Sequence, residues 1–278
     1  MENSIEAYLE ARRELVESYL YSYLERRAAE FPETLYDGII YALEGGKRVR
    51  PVLVMSAAEA CGGEAELVLP TAAGIELFHT FSLIHDDLPA LDDDDWRRGK
   101  PSCHRAFGEA EAILIGDALV PLGFELIIEE QAQFTPRERV LEVLLLLARA
   151  LGPAGMVGGQ LLDLEAEHDG VPLEEAYEKK TGELIAAATG AGGILAGCSP
   201  EETAALLEFG RKLGLAYQMV DDLLDVEEEE DDVRLIGLDR AWREAQRFTA
   251  EALRPLERFG ERGAMLRALA EYLLERKE

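Results

Sequence analysis

Prolines divide this chain of 278 residues into stretches whose lengths suit single α-helices. A proline is tolerated in the first turn of a helix, but in the interior it removes a hydrogen bond and clashes with the preceding turn. The prolines recur at Pro32, Pro51, Pro70, Pro89, Pro101, Pro121, Pro136, Pro153, Pro172 and Pro200. Between them we find no sustained alternation of apolar and polar residues that would indicate strands. The pattern therefore predicts an all-α protein.

Local signals indicate where several helices begin and end. SPEE (199–202) and TPRE (135–138) have the form of capping boxes with proline at the first helical position. Gly152 and the pair Gly62–Gly63 are typical of helix stops. The stretch TAAGIELFHTFSLIHD (71–86) is apolar nearly all round, as a buried central helix would be. Because no low-complexity linker or fixed-period repeat interrupts the chain, we expect one helical-bundle domain over residues 1–278.

Composition and charge exclude several functional classes. Apolar residues make up 48% of the chain, which supports a substantial core and argues against intrinsic disorder. The net charge of −28 argues against nucleic-acid binding and against docking on anionic membranes. The most apolar run, VLEVLLLLARAL (140–151), is short and carries two charged residues. We therefore predict no membrane-spanning helix and no stable membrane anchoring.

The cysteines and the N-terminal residues bear on the compartment. Cys61, Cys103 and Cys198 are odd in number, scattered, and lack any CxxC spacing. This arrangement argues against a zinc site or a disulfide framework, and it fits a reducing compartment. The first residues, MENSIEAYLEARREL, are charged and amphipathic and lack the apolar core of a signal peptide. We expect a cytoplasmic protein.

Residues 85–99, HDDLPALDDDDWRRG, concentrate six aspartates and two adjacent arginines. A solvated acidic loop is the simplest interpretation of such a run. The alternative is a cation site. Carboxylate oxygens with no cysteine and little histidine favour Mg²⁺, which usually binds through carboxylates and substrate phosphates.

A second acidic motif, DDLLD (221–225), lies far downstream within an apolar helical pattern. The spacing stacks Asp221 and Asp225 on one helical face, with Asp222 beside them. Carboxylates paired in an apolar neighbourhood need a cation or shared protons. Two such motifs facing across a helical bundle would hold metals between them and a diphosphate in the gap. For the following run EEEEDD (227–232) we prefer a solvated loop.

Basic residues in three places complete the pattern. GGKRVRP (45–51) precedes a helix, Arg97 and Arg98 follow the first aspartates, and Lys179–Lys180 precede TGE (181–183). Arginine forks match phosphate oxygens bidentately, whereas lysines act as point charges. Two separate basic groups beside two acidic motifs indicate two diphosphate substrates.

Four motifs, GGKRVRP, FHTFSLIHDDLPALDDDDWRRG, KKTGEL and YQMVDDLLDV, occur in this order. They resemble those of the trans-isoprenyl diphosphate synthases (polyprenyl synthases), and within them the bacterial farnesyl diphosphate synthase branch. The similarity runs from about residue 36 to 226. The resemblance implies an all-α homodimer with a deep central cavity. It also implies a prenyltransferase that uses Mg²⁺ to join isopentenyl diphosphate head to tail with an allylic diphosphate.

The resemblance implies a role for each matching residue. The expected catalytic residues are Asp86, Asp87, Lys180 and Asp221, and the expected Mg²⁺ ligands are Asp86, Asp87, Asp92, Asp93, Asp221, Asp222 and Asp225. The isopentenyl diphosphate site is expected to comprise Lys47, Arg50, His79 and Arg98. The allylic site is expected to comprise Arg97, Lys180, Thr181 and Gln218. An isolated histidine is more often a core residue, but the place of His79 seven residues before Asp86 favours the binding role.

Side chains one turn before Asp86 are expected to line the shaft that receives the growing chain. One helical turn spans about 5.4 Å, close to the length of an isoprene unit. Phe81 and Ser82 occupy these positions, with Phe78 nearby. In the family an aromatic residue there tends to stop growth at fifteen carbons. We therefore expect farnesyl diphosphate, made from dimethylallyl or geranyl diphosphate; the alternative is a geranylgeranyl diphosphate synthase.

The chain departs from the family after DDLLDV, where a Gly- and Lys-containing loop usually follows. Here EEEEDDVRLIGLDRAW (227–242) is acidic and contains no lysine. Acidic residues repel a diphosphate and are poor substitutes for the missing cations. A second alternative is therefore a low-activity or non-catalytic partner subunit of a prenyl synthase, against which the two intact aspartate motifs argue. A cyclase would have no use for Lys47, Arg50 and His79 together.

Overall fold

The computed structural model describes residues 2–169, 173–227 and 235–275, with side chains over 5–165, 175–220 and 242–273. Helices dominate these ranges, which confirms the all-α prediction. The α-helices are α1 Glu2–Arg27, α2 Glu33–Leu43, α3 Val49–Ala60, α4 Leu69–Asp86, α5 Cys103–Phe107, α6 Glu109–Glu130, α7 Arg137–Leu151, α8 Met156–Asp169, α9 Leu173–Tyr177, α10 Glu183–Ala196, α11 Pro200–Glu227, α12 Leu235–Leu253 and α13 Ala264–Glu275. Short 3₁₀ segments lie at Ala28–Glu30, Ala65–Val68, Gln131–Gln133 and Arg254–Gly263.

The chain divides into two compact units. Unit I comprises Ala7–Val52 and Glu66–Pro136, and unit II comprises Met1–Glu6, Leu53–Ala65 and Arg137–Glu278. The single-domain organisation over residues 1–278 stays a prediction.

Unit I is built around the packing of α4 against α6. A Cβ atom at Gly74 would lie 2.8 Å from the Ile127 side chain, and one at Gly123 would lie 2.5 Å from the Phe78 ring. The two helices therefore approach closely only because both positions are glycine. α4 is buried over most of its length, as its apolar sequence predicts.

A two-residue β-hairpin follows the first aspartate motif. β1 (Trp96–Arg97) pairs antiparallel with β2 (Lys100–Pro101). Arg98 and Gly99 form the turn with φ of +54° and +75°, the positive values of a type I′ turn. The sequence did not predict these strands, because two residues are too few for an alternating pattern.

Unit II packs α10 between α7 and α11. α10 is buried along nearly all of its length, and a Cβ atom at Gly210 of α11 would lie 2.4 Å from the Ala186 Cα atom. The capping box at the start of α11 is confirmed. The Glu202 amide donates to Ser199 Oγ at 3.2 Å, and the Ser199 amide donates to Glu202 Oε2 at 3.1 Å.

The prediction against disulfides is wrong at one pair. Cys61, which follows α3, is bonded to Cys198, which follows α10, with Cα atoms 5.6 Å apart. The two cysteines are 137 residues apart in the chain, so no local spacing signals the pair. Cys103 is free and buried.

Among the residues that the structure describes, two helical segments are long and apolar enough to cross a membrane by length and composition, Ala65–Asp86 and Arg137–Glu165. The apolar window of the first is 72% buried, as expected for a core helix. The second is interrupted by a turn between α7 and α8. Two such segments are weak grounds for a membrane protein.

Candidate active site

Arg48 anchors the loop that carries the first basic motif. Its side chain is fully buried, and its Nη1 atom donates to Glu76 Oε1 at 2.8 Å. Its Nη2 atom donates to the Leu43 carbonyl at 2.5 Å and lies 3.2 Å from Glu17 Oε1. A charged group out of water needs such partners. The GGKRVRP loop is thereby tied both to the end of α2 and to α4.

Arg98 of the hairpin reaches the same place from the other side. Its Nη1 atom donates to the carbonyls of Ala42 at 3.0 Å and Leu43 at 3.4 Å. Its Nη2 atom donates to Glu76 Oε1 at 3.4 Å. Cations stabilise the exposed carbonyls at a helix C-terminus. One buried carboxylate thus joins two arginines from two separate motifs.

The glycine pair of the GGKRVRP motif follows from this packing. Gly45 has φ of +77°, and a Cβ atom at Gly46 would lie 2.2 Å from Arg48 Nη1 and 3.0 Å from Arg98 Cζ. Any larger residue at position 46 would displace the arginines.

His79 lies one turn after Glu76 on α4, and its Nε2 atom is 3.1 Å from Arg50 Nη1. Since a guanidinium can only donate, this nitrogen accepts and the ring is neutral. Burial lowers the pKa of His79 well below its usual value, and the positive charges of Arg50, Arg98, Arg48 and Arg97 lower it further.

Asp87 and Arg97 form a pair at the end of α4. Arg97 Nε donates to Asp87 Oδ1 at 2.8 Å, and Arg97 Nη2 donates to the same oxygen and to Asp94 Oδ2 at 2.7 Å. Burial raises the pKa of Asp87, and the hydrogen bonds and charge of Arg97 oppose this. The Asp87 side chain is almost fully buried. One of the predicted metal ligands is therefore held by one of the predicted allylic-site cations.

The remaining aspartates of the first motif lie on a turn that returns to the helix end. The Asp92 amide donates to the Asp86 carbonyl at 2.9 Å, and Asp93 has φ of +52°. Asp86 is half-buried, whereas Asp92 and Asp93 are exposed. Among the described side chains, no three histidine, cysteine or acidic groups lie close enough together to form a metal site. The Mg²⁺ ligands stay a prediction.

Phe78, Phe81 and Ser82 have different surroundings. Phe78 is fully buried and its ring packs 4.8 Å from that of Phe124. Phe81 is partly exposed and meets the His85 ring edge-on at 4.9 Å. Ser82 Oγ donates to the His79 carbonyl at 2.9 Å. Of the two aromatic residues, Phe81 is the one left accessible.

In unit II, the KKTGEL motif begins in a π-helical segment, Glu178–Gly182. Such segments are frequent at functional sites. Lys180 Nζ donates to Asp163 Oδ2 at 2.6 Å, and Thr181 Oγ1 donates to Gln218 Oε1 at 3.0 Å. The structure therefore brings three of the predicted allylic-site residues, Lys180, Thr181 and Gln218, into one region.

The second aspartate motif lies in α11, which confirms its helical spacing. The side chains of Asp221, Asp222 and Asp225 lie outside the described residues, as does most of the acidic segment 227–242. In the GGKRVRP loop, Lys47 is exposed and Arg50 is half-buried.

A family model described as polyprenyl synthetase matches residues 32–254, a range that contains every motif above. The chain belongs to the polyprenyl synthetase family. It is 42% identical over 243 residues to a farnesyl diphosphate synthase of Geobacillus stearothermophilus, covering 86% of this chain and 81% of that protein. It is 36% identical over 290 residues to a geranylgeranyl diphosphate synthase of Cyanophora paradoxa, covering 97% and 95%.

The fold of this polyprenyl synthetase matches solved structures of the same kind. An FPP/GFPP synthase from Zymomonas mobilis aligns with a TM-score of 0.87 at 35% identity, covering 99% of this chain and 100% of that one. The prediction of an isoprenoid synthase fold is confirmed. The chain is a trans-prenyltransferase, and prenyl synthases use isopentenyl diphosphate and an allylic diphosphate.

Glu76 was missed in the sequence. The available signal was a single glutamate inside an otherwise apolar helix, one turn before His79. A carboxylate inside such a helix must be paired with a cation. Among the basic residues of the motifs, those nearest to Glu76 in the sequence are arginines.

Proposed function

We propose that this prenyltransferase condenses isopentenyl diphosphate with dimethylallyl or geranyl diphosphate to give farnesyl diphosphate, with Mg²⁺ as cofactor. The observation that carries the proposal is the cation cluster of unit I. Arg48 and Arg98 pair with the fully buried carboxylate of Glu76, Arg48 also pairs with Glu17, and Arg50 contacts the neutral His79. The three arginines and the exposed Lys47 outnumber Glu76 and Glu17, and this excess of positive charge suits a strongly anionic ligand such as a diphosphate.

The isopentenyl diphosphate site in this proposal consists of Lys47, Arg50, His79 and Arg98. Arg98 and the Arg48 loop are fixed before substrate arrives, because backbone carbonyls and Glu76 already hold them. Preorganised donors lose little entropy on binding. His79 is a poor general base, because its Nε2 lone pair is engaged by Arg50. The departing diphosphate is the base that the proposal requires for the final proton.

The allylic site consists of Arg97, Lys180, Thr181 and Gln218. Arg97 is oriented by Asp87 and Asp94, so its guanidinium is fixed beside the first aspartate motif. Fixed cations stabilise a diphosphate as it leaves.

In the proposal, carboxylates of both motifs hold Mg²⁺: Asp86, Asp87, Asp92 and Asp93 in the first, and Asp221, Asp222 and Asp225 in the second. Their donors are all carboxylate oxygens, and the exposure of Asp92 and Asp93 leaves room for the waters that Mg²⁺ retains. Bound Mg²⁺ supplies Lewis-acid neutralisation of the allylic diphosphate. Arg97 already donates to two aspartates of the first motif, Asp87 and Asp94.

The partly exposed Phe81 supports a fifteen-carbon product, since an aromatic ring at this position would block a longer chain. A twenty-carbon product is the second candidate, because the relatives carry both names.

A homodimer is part of the proposal. Within unit I, α6 exposes Ile113, Leu114 and Ile128, at 43%, 63% and 53% of their surface. Apolar side chains grouped on one helix favour burial against a second copy of the chain.

The test is incubation of the purified protein with Mg²⁺, isopentenyl diphosphate and each of dimethylallyl, geranyl and farnesyl diphosphate, followed by product chromatography. We expect farnesyl diphosphate from the first two, no extension of the third, and no product after chelation of the metal. Geranylgeranyl diphosphate as the main product would replace the C15 assignment, and absence of any product would reject the proposed activity.

Phe81→Ala tests the chain-length assignment. Removal of the ring should extend the products by at least one isoprene unit, because one turn of helix is about that length. Phe134→Ala is the matched control, since Phe134 is 51% exposed and is not among the site residues. Unchanged chain length in Phe81→Ala would discard Phe81 as the barrier.

A further inference from the structure

We infer that Glu76 is a positioning residue that sets the isopentenyl diphosphate site by holding Arg98 and the Arg48 loop in place. The inference rests on the proposed function, which assigns Lys47, Arg50, His79 and Arg98 to that site. Glu76 itself contacts no substrate in this arrangement. It acts through the two arginines.

The first argument is the position of the carboxylate. Glu76 is 1% exposed, and its Oε1 atom accepts from Arg48 Nη1 and Arg98 Nη2. Its Oε2 atom is buried and has no hydrogen-bond partner among the described residues. Burial of a carboxylate costs free energy unless the carboxylate is paired, and the two arginines supply that pairing.

The second argument is the backbone conformation of the two arginines. Arg48 and Arg98 both have φ of +54°, a left-handed conformation that non-glycine residues rarely adopt. Such strain persists only where surrounding contacts hold it. At Arg48 these contacts are Glu76, Glu17 and the Leu43 carbonyl, whereas at Arg98 the type I′ turn itself requires the positive φ. Loss of Glu76 would remove the one carboxylate that Arg48 and Arg98 share, and would leave Arg98 held by the carbonyls of Ala42 and Leu43 alone among its described hydrogen bonds.

The third argument is the position of the two arginines in the sequence, next to residues predicted to bind diphosphate. Arg48 lies between Lys47 and Arg50, and Arg98 follows Arg97, so each arginine fixes the backbone beside predicted diphosphate ligands. Glu76 also lies one turn before His79, which contacts Arg50. One carboxylate is therefore linked to the predicted ligands through Arg98, through Arg48 and through the helical turn that carries His79.

Glu76→Gln tests the inference, because it keeps the shape and removes the charge. We expect the KM for isopentenyl diphosphate to rise about tenfold, because a tenfold change corresponds to the loss of roughly one charge-assisted hydrogen bond. The KM for the allylic diphosphate should change by less than about twofold. Glu76→Asp, which restores the charge, should recover part of the loss.

Glu17→Gln is the matched control. Glu17 also pairs with Arg48, at 3.2 Å, but its hydrogen bonds and ion pairs do not include Arg98, and it is 26% exposed. Both KM values should stay within about twofold of the wild type. An equal rise of the two KM values in Glu76→Gln, or the same rise in Glu17→Gln, would overturn the inference in favour of a general structural role.

A double variant covers the case in which Glu76→Gln does not fold. Glu76→Gln with Arg98→Gln restores the charge balance. Because Glu76 acts through both Arg98 and Arg48, the double variant should bind isopentenyl diphosphate more weakly than Arg98→Gln alone, but by clearly less than the tenfold loss expected of Glu76→Gln. A further loss of about tenfold would overturn the inference.

Calorimetric titration with isopentenyl diphosphate separates the inference from the proposed function. A wild type that binds this ligand without turnover would reject the proposed activity, and the affinities of the variants would still decide the role of Glu76. A wild type that neither binds nor reacts would overturn both.

Discussion

The predicted site residues of unit I and of unit II are held by different means. In unit I, the predicted ligand Arg98, together with Arg48 of the GGKRVRP loop, is held by a fully buried carboxylate and by helix-end carbonyls. In unit II, Lys180 pairs with Asp163, both about one-quarter exposed, and Thr181 makes a neutral hydrogen bond to Gln218.

This difference indicates which of the two groups of residues is the more rigid. Charged groups excluded from water keep one geometry, since any movement leaves a charge unpaired. Partly exposed groups can exchange partners for water at little cost. We therefore expect Arg98 and the Arg48 loop to be preformed and the unit II residues to adjust to their ligand.

The largest effect should be on stability, and it should differ between the units. Arg48→Met breaks a buried pair and should lower the free energy of unfolding by about 3–5 kcal/mol. Lys180→Met, the same kind of replacement in unit II, should cost at most about 1 kcal/mol because its pair is partly solvated. Urea unfolding of both variants measures the contrast. Equal losses would remove the distinction between a rigid and an adaptable site.

The next effect is on turnover, and here the two units should behave alike. Asp86→Ala and Asp221→Ala should each lower kcat by about 10²–10³-fold with helicity unchanged, since each removes electrostatic stabilisation of the leaving diphosphate. Asp95→Ala is the control, because Asp95 is exposed and pairs with Arg105. Circular dichroism and product assays give the result. An equal fall of kcat in Asp95→Ala would show that the aspartates of the first motif act only through their total negative charge.

The smallest effect is a pH dependence confined to unit I. The folded-state pKa of His79 lies below its unfolded value near 6.5, so the stability it contributes is present above pH 6.5 and is lost as pH falls. Between pH 6.5 and 5, the wild type should lose up to about 1.4 kcal/mol per pH unit more than His79→Gln. Urea unfolding at several pH values measures the difference. Parallel curves would show that folded His79 takes up a proton.

Much of the fold follows from the sequence, because its signals are local. The apolar run 71–86 predicts α4, and the Ser199–Glu202 spacing predicts the start of α11. The order of four motifs predicts the family, which the comparison confirms. Each helix signal lies within one contiguous stretch of the sequence, and each motif is itself such a stretch.

The remainder depends on contacts between distant parts of the chain. The pair Cys61–Cys198 and the bonds from Glu76 to Arg48 and Arg98 join residues that no spacing connects. Asp87 and Arg97 were predicted as ligands of separate groups, and their pairing appears only once the hairpin folds back on α4. The sequence identifies which residues bear charge, but burial decides which of them hold one another.

The Cys61–Cys198 bond has a consequence for a chain that has been cut. It closes a loop that contains most of unit I, so a protease that cleaves once inside this loop leaves two fragments joined by sulfur. Cross-links over loops of about 100 residues restrict the unfolded ensemble strongly, by roughly 4–5 kcal/mol in chain-entropy models. A nicked molecule would therefore migrate as an intact chain until a thiol is added.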